Sequence, residues 1–192
     1  MRQLPTAMAA KVMLAADLFA RAGLDGTKMD DISAATGVPR ATLYYYFTGK
    51  EEILTWMFGE LLDEVGRAVT RAASSPGSGA QRLALVVEAH LRVFAEHQAA
   101  SQALQLDLGR AARIPQIASA VDRAFLNPVS HVLADGGADG SLRTTRDPKA
   151  AATAILGAIT STGMNAFSAP RRGNVEEVAA LLTDLLIEGL RA

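Results

Sequence analysis

The chain has 192 residues, 49% hydrophobic and 20% charged, enough for a sizeable core in one or two domains and too apolar for wholesale disorder. It has no cysteine, which excludes disulfides, thiolate metal sites and cysteine nucleophiles. The net charge of −1 is unevenly placed: residues 1–50 hold six Lys/Arg against four acids, the remainder thirteen against sixteen, a weak basic bias toward the N-terminus.

Met1–Thr6 show no signal-peptide pattern, so a cytoplasmic chain is expected. Val12, Ala16, Phe19 and Gly23 then recur at helical spacing, predicting a first helix over residues 6–22 that Gly23 and Gly26 stop. Thr27 followed by Asp30 fits a capping box opening a second helix, Met29–Thr36, which Gly37 closes in the left-handed conformation. Pro39 fits the first turn of a third helix. After Thr48-Gly49, Lys50 opens a fourth, running to about Ala72.

Ser74-Ser-Pro-Gly-Ser-Gly79 is a loop and the best compositional candidate for a boundary. Further helices are expected over 80–98, 101–109, 115–135, 147–168 and 174–191. No segment alternates as a strand does, so the fold class is all-α, with about nine helices. The uncharged stretch Ala150–Pro170 is long enough to span a bilayer but is mostly Ala, Gly, Ser and Thr. It reads as a buried helix, and no membrane is expected as a partner.

The third helix is the informative one. On a helical wheel Leu43 and Phe47 face the core above Ile32, which turns Tyr45 away from it, with Tyr44 and Tyr46 flanking. Tyr46 is equally consistent with covering the core edge. An exposed aromatic pair without a partner is unfavourable in water, whereas phenol hydroxyls can donate to phosphate oxygens and ring edges can pack on thymine methyls. Arg40 and Thr42 occupy the first turn, the end of such a helix that reaches base edges. Arginine there, like Lys28 and Lys50 at the starts of the second and fourth helices, opposes the helix dipole unless an anion is near.

The residues V-M-L-A-A-D-L-F-A-R-A-G and M-D-D-I-S-A-A-T-G-V-P-R-A-T-L-Y-Y-Y-F-T-G-K-E-E-I-L, from Val12 to Leu54, resemble the DNA-binding domain of the tetracycline-repressor (TetR) family of transcriptional regulators. The resemblance implies a helix-turn-helix domain over residues 1–49, a helical effector-binding and dimerisation domain over 50–192, and a homodimer binding a palindromic operator in double-stranded DNA. By position it assigns DNA contacts to Arg40, Ala41, Thr42, Tyr44, Tyr45 and Lys50, with Thr27 and Lys28 assisting at the backbone. Family members often carry Ser or Thr where this chain has Pro39, which puts that one contact in doubt.

Beyond the fourth helix the reading is physical. Val175, Val178, Leu181, Leu182, Leu185, Leu186 and Leu190 make an apolar arc too wide for one buried face. The preceding helix offers Ala154, Gly157, Ala158, Ser161 and Gly163. The last two helices are therefore expected to form a four-helix bundle with their two-fold mates; a monomer with both helices internal is the alternative. Trp56, His90, Phe94, Asp107, Phe125, Asn127, His131 and Asn165 are candidates to line a cavity for a small-molecule effector, which the resemblance also implies. No nucleophile or phosphate-loop motif is present, and His90 and His97 stand seven apart rather than at a metal-pair spacing. No enzyme activity, metal or cofactor is expected. A DNA-binding protein without an effector would instead have a filled interior between residues 80 and 168.

Overall fold

The computed structural model describes residues 4–111, 113–168 and 173–190, and all its regular elements are helical. They are α1 (Thr6–Met13), α2 (Ala16–Gly26), α3 (Met29–Thr36), α4 (Arg40–Tyr46), α5 (Lys50–Ala73), α6 (Gly79–Glu96), α7 (Gln98–Leu106), α8 (Leu108–Ala111), α9 (Pro115–Val121), a π-helical turn (Asp122–Leu126), α10 (Asn127–Asp139), α11 (Pro148–Ser168) and α12 (Val175–Leu190). Met1–Gln3, Pro170 and the side chain of Leu190 lie outside the described residues.

The segments outnumber the nine expected helices. The expected first helix is two, because the Leu14 and Ala15 amides donate three residues back, to Lys11 and Val12, and tighten the chain. The helix expected over 101–109 is two short ones, α7 and α8, and the π turn interrupts the one expected over 115–135. The capping box is also one residue later than expected. The Thr27 hydroxyl donates back to the Gly23 carbonyl (2.7 Å), and it is the Lys28 amide that donates to the Asp31 carboxylate (3.1 Å). Pro39 is the N-cap of α4 rather than its first helical residue.

The described residues divide into two compact units, one comprising the chain to Leu61 with Ala99–Ala118, the other Leu62–Gln98 with the chain from Ser119 onward. α5 contributes residues to both.

In the first unit α3 packs against α1 and α4. Its core holds Val12, Phe19, Ile32, Leu43, Phe47, Ile53, Met57 and Phe58, all buried. The turn between α3 and α4 is tied by three hydrogen bonds. Ser33 Oγ donates to the Val38 carbonyl (2.7 Å), Thr36 Oγ1 to the Ile32 carbonyl (2.7 Å), and the Val38 amide to Thr36 Oγ1 (3.2 Å). Gly37 sits between them at φ 63°, ψ 19°, a left-handed conformation that costs glycine nothing.

In the second unit α6 is central, packed against α10, α11 and α12, with Leu83, Val86, Val87 and Leu91 fully buried. Ser78 and Gln81 form a capping box at its start, and Gly79 N donates to the Asp139 carboxylate (2.8 Å). A Cβ on Gly79 would lie 2.3 Å from Gly136 Cα, so glycine is what lets the backbones of α6 and α10 meet. α11 buries only one face, Ala152, Ile155, Ile159 and Phe167, and exposes Ala154, Gly157, Ser161 and Asn165. The expectation of a buried helix is thus corrected in part: Ala154, Gly157 and Ser161 form a surface, while Gly163 is buried against Leu91 and Phe94. No helix among the described residues is long and apolar enough to cross a membrane.

Candidate nucleic-acid interface

α4 is short, and its geometry follows from the turn that precedes it. With Val38 buried and Gly37 left-handed, Leu43 and Phe47 enter the core and the opposite face turns to solvent. Tyr44 is 48% and Tyr45 60% exposed. Tyr46 is half-buried, its ring edge-on to Tyr45 with centroids 4.9 Å apart. Ala41 is exposed beside them and Thr42 half-buried.

Arg40 is engaged within the protein. Its Nη1 donates to Asp30 Oδ1 at 2.6 Å, and its guanidinium lies 5.7 Å from the centroid of the Tyr44 ring. The Tyr44 phenol and then the Asp30 carboxylate hold the guanidinium above its ordinary pKa, so it stays cationic. Asp30, on the first turn of α3, is the anion that an arginine at the start of α4 needs.

Lys50 is likewise turned inward. Its Nζ donates to the carbonyls of Thr27 (2.9 Å) and Asp25 (3.3 Å), tying the start of α5 to the connection before α3. Thr27 is buried and Lys28 exposed as the N-cap of α3. Glu52 accepts from the Thr48 amide (2.6 Å) and hydroxyl (2.9 Å), which holds its carboxyl below the usual range. Arg40, Ala41, Tyr44 and Tyr45 therefore share one exposed face, with Thr42 at its border. Thr27 and Lys50 form a structural tie whose remaining capacity for phosphate lies in the Lys50 ammonium's third proton. Neither the Asp30–Arg40 pair nor the Lys50 tie is visible in sequence, since partners ten and twenty-three residues apart obey no helical spacing.

The effector candidates divide between the two units. In the first, Trp56 is buried against Phe47, ring centroids 5.9 Å apart, and Asp107 has one carboxylate oxygen buried without a partner. In the second, His90 on α6 is 6% exposed, edge-on to Phe125 of the π turn at 5.1 Å, with Nδ1 lacking a hydrogen-bond partner. Burial pushes its imidazole pKa down to about 4, so it is neutral. Phe94 packs on Phe167 at 6.2 Å. Asn127 and His131 are exposed and line an open groove of about 480 Å³. Asn165 is exposed on the small-residue face of α11. The described residues hold no cluster of three or more potential metal ligands.

A family model for bacterial regulatory proteins of the tetR family matches residues 13–55, and one for the tetracyclin repressor-like C-terminal domain matches residues 76–190. The chain belongs to the TetR family. It is a DNA-binding transcriptional regulator. The fatty acid metabolism regulator protein of Bacillus subtilis (strain 168) is similar to this TetR chain at 23% identity over 177 residues, 92% of the chain and 91% of that protein. Among solved structures, the fatty acid degradation regulator FadR from Bacillus halodurans superposes with a TM-score of 0.84 at 21% identity, covering 99% of both chains. FadR from Bacillus subtilis in complex with stearoyl-CoA gives a TM-score of 0.77 at 20% identity, covering 95% of this chain and 100% of that one. At these identities the two structures speak to the fold.

Proposed function

We propose that this TetR regulator is a repressor that binds a palindromic operator as a homodimer and is released by a small-molecule effector. Residues 1–49 serve as the DNA-binding domain and residues 50–192 bind the effector and dimerise. The observation that carries the reading is the solvent face of α4, where Arg40, Tyr44 and Tyr45 are exposed on the side away from the core that Leu43 enters. In this reading Arg40 exchanges Asp30 for a base edge, Thr42 and Ala41 border the groove, and Tyr44, Tyr45, Lys28 and Lys50 hold phosphates, with Thr27 ordering the backbone. No catalytic role, metal or cofactor is assigned, and the protein acts in the cytoplasm.

The dimer is supported by α12, where Ala179 and Leu182 are buried while Leu181 and Leu185 are 60% and 65% exposed. Beside the exposed small residues of α11, that second apolar stripe suits a two-fold four-helix bundle. The effector is read as an acyl-CoA thioester. The name of the Bacillus subtilis relative and the stearoyl-CoA in the FadR complex support this class, as do the apolar surroundings of His90, Phe94 and Phe125. An effector that prefers the conformation unable to place two recognition helices about 34–36 Å apart weakens operator binding by the coupling free energy.

Selection of duplexes from a random library by the purified protein tests the reading. Enrichment of an inverted repeat, with binding lost on adding stearoyl-CoA, is expected. No preferred duplex would remove the DNA claim. A palindrome insensitive to acyl-CoAs and other small molecules would leave an effector-blind regulator.

A further inference from the structure

The second half of α5 carries Arg67 and Arg71, four residues apart and both exposed, so their stems stack about one turn, roughly 6 Å, along the axis. Like charges at this spacing repel. Of the two, Arg67 alone pairs with an acid among the described residues, Glu64 at 2.8 Å. With Arg123 of the π turn, Asp63 and Thr70 they line a cleft of about 610 Å³. Its floor is the close approach of Gly66 to Ala124, where an added Cβ would stand 3.4 Å from Ala124 Cα. The extra residue of a π turn re-aims the side chains around it, a feature frequent at functional sites.

Through Thr70 and Arg123 the cleft continues into the groove lined by Arg82, Asn127 and His131. Four arginines face two aspartates along this path, in a chain whose overall charge is −1. Asp135 is taken by Arg82 at 3.0 Å, yet Arg82 Nε is buried with no hydrogen-bond partner among the described residues. Arg71 and Arg123 form no ion pair with any described residue.

We propose that this cleft binds an oligophosphate group. Guanidinium forks arriving from two elements, with a threonine hydroxyl between them, suit an anion with several oxygens spread over two or more phosphorus centres; one carboxylate would leave forks unmatched. The group is either the phosphorylated end of the effector, in which case the inference rests on the acyl-CoA reading above, or part of a free nucleotide.

Calorimetry with pyrophosphate, ATP, coenzyme A and stearoyl-CoA, against a sulfate control of equal ionic strength, tests it. Pyrophosphate and coenzyme A should bind the wild type above that control. Arg71→Ala/Arg123→Ala should weaken both at least tenfold, and Arg71→Lys/Arg123→Lys, which keeps the charge without the fork, should fall between. Stearoyl-CoA binding far more tightly than coenzyme A assigns the cleft to the effector's end, and equal binding of ATP and both thioesters assigns it to a free nucleotide. Binding no stronger than the sulfate control, or undiminished in the alanine variant, overturns the site. So does loss of operator binding by that variant without ligand, which would make these arginines DNA contacts. Stearoyl-CoA releasing operator equally from wild type and alanine variant takes the effector's end out of the cleft but keeps the effector reading; the site then stands or falls on the ATP titration. Pyrophosphate binding with no acyl-CoA effect on the operator does the reverse.

Discussion

Arg40 Nη1 and Asp30 Oδ1 stand 2.6 Å apart, joining the first turn of α4 to the first turn of α3. The side chain proposed to read a base is thus held by an acid of its own helix-turn-helix. If Arg40 is that contact, binding DNA would exchange one anion for another instead of desolvating a free cation. Arg40→Ala should relax preference at one base position by roughly ten- to a hundredfold, whereas Asp30→Asn should leave the preferred sequence unchanged and tighten binding to all duplexes. Titrations with single-base operator variants check both; a uniform loss in Arg40→Ala would assign Arg40 to the backbone.

Tyr44 lies against the same guanidinium. Tyr44→Phe keeps the ring and removes the hydroxyl, so it should weaken binding to every sequence alike, by a few-fold, through one lost phosphate contact. Specificity that changes together with affinity in this variant would contradict the assignment.

The Lys50 tie to Thr27 and Asp25 makes a separate prediction. Lys50→Ala removes two charge-assisted hydrogen bonds and should lower stability by about 1–2 kcal/mol in urea unfolding. If its remaining proton also meets a phosphate, the salt dependence of operator binding should fall by about one in log–log slope. An unchanged slope would mark the residue as structural alone.

His90 makes stability depend on pH. Its imidazole pKa is about 4 in the folded protein against an ordinary 6.5, so between those values the unfolded chain binds the additional proton. Stability therefore falls as pH drops from about 6.5 and levels off below about 4, a loss of about 3 kcal/mol in total. His90→Leu removes the titrating group. The stability difference, variant minus wild type, should grow by that amount between pH 7 and 4 in urea titrations; parallel curves would refute it.

At the meeting of α6 and α10, Gly79→Ala drives a methyl into Gly136, 2.3 Å from its Cα and 2.6 Å from its nitrogen. Backbone cannot swing aside as a side chain can, so a loss of about 3 kcal/mol is expected in thermal unfolding. Gly59→Ala, whose Cβ meets nothing within 4 Å, should instead stabilise α5 by about 0.5–1 kcal/mol. Similar effects of the two substitutions would show that α6 and α10 have room to part.

Much of the first unit was legible in the chain. Met29–Thr36 and the left-handed Gly37 were readable because a helical period and a glycine act over a few residues and leave local marks, although the cap itself lies one residue later than expected. The inward turn of Leu43 and Phe47, and with it the exposure of Tyr44 and Tyr45, follows from helical period alone. Tertiary structure decided the rest. It paired Arg40 with Asp30, bent Lys50 onto two carbonyls, set His90 edge-on to Phe125 with Nδ1 lacking a hydrogen bond among the described residues, and set Arg67, Arg71 and Arg123 around one cleft. These relations join residues on different helices. Periodicity says which face of a helix is apolar, but only packing says which two faces meet.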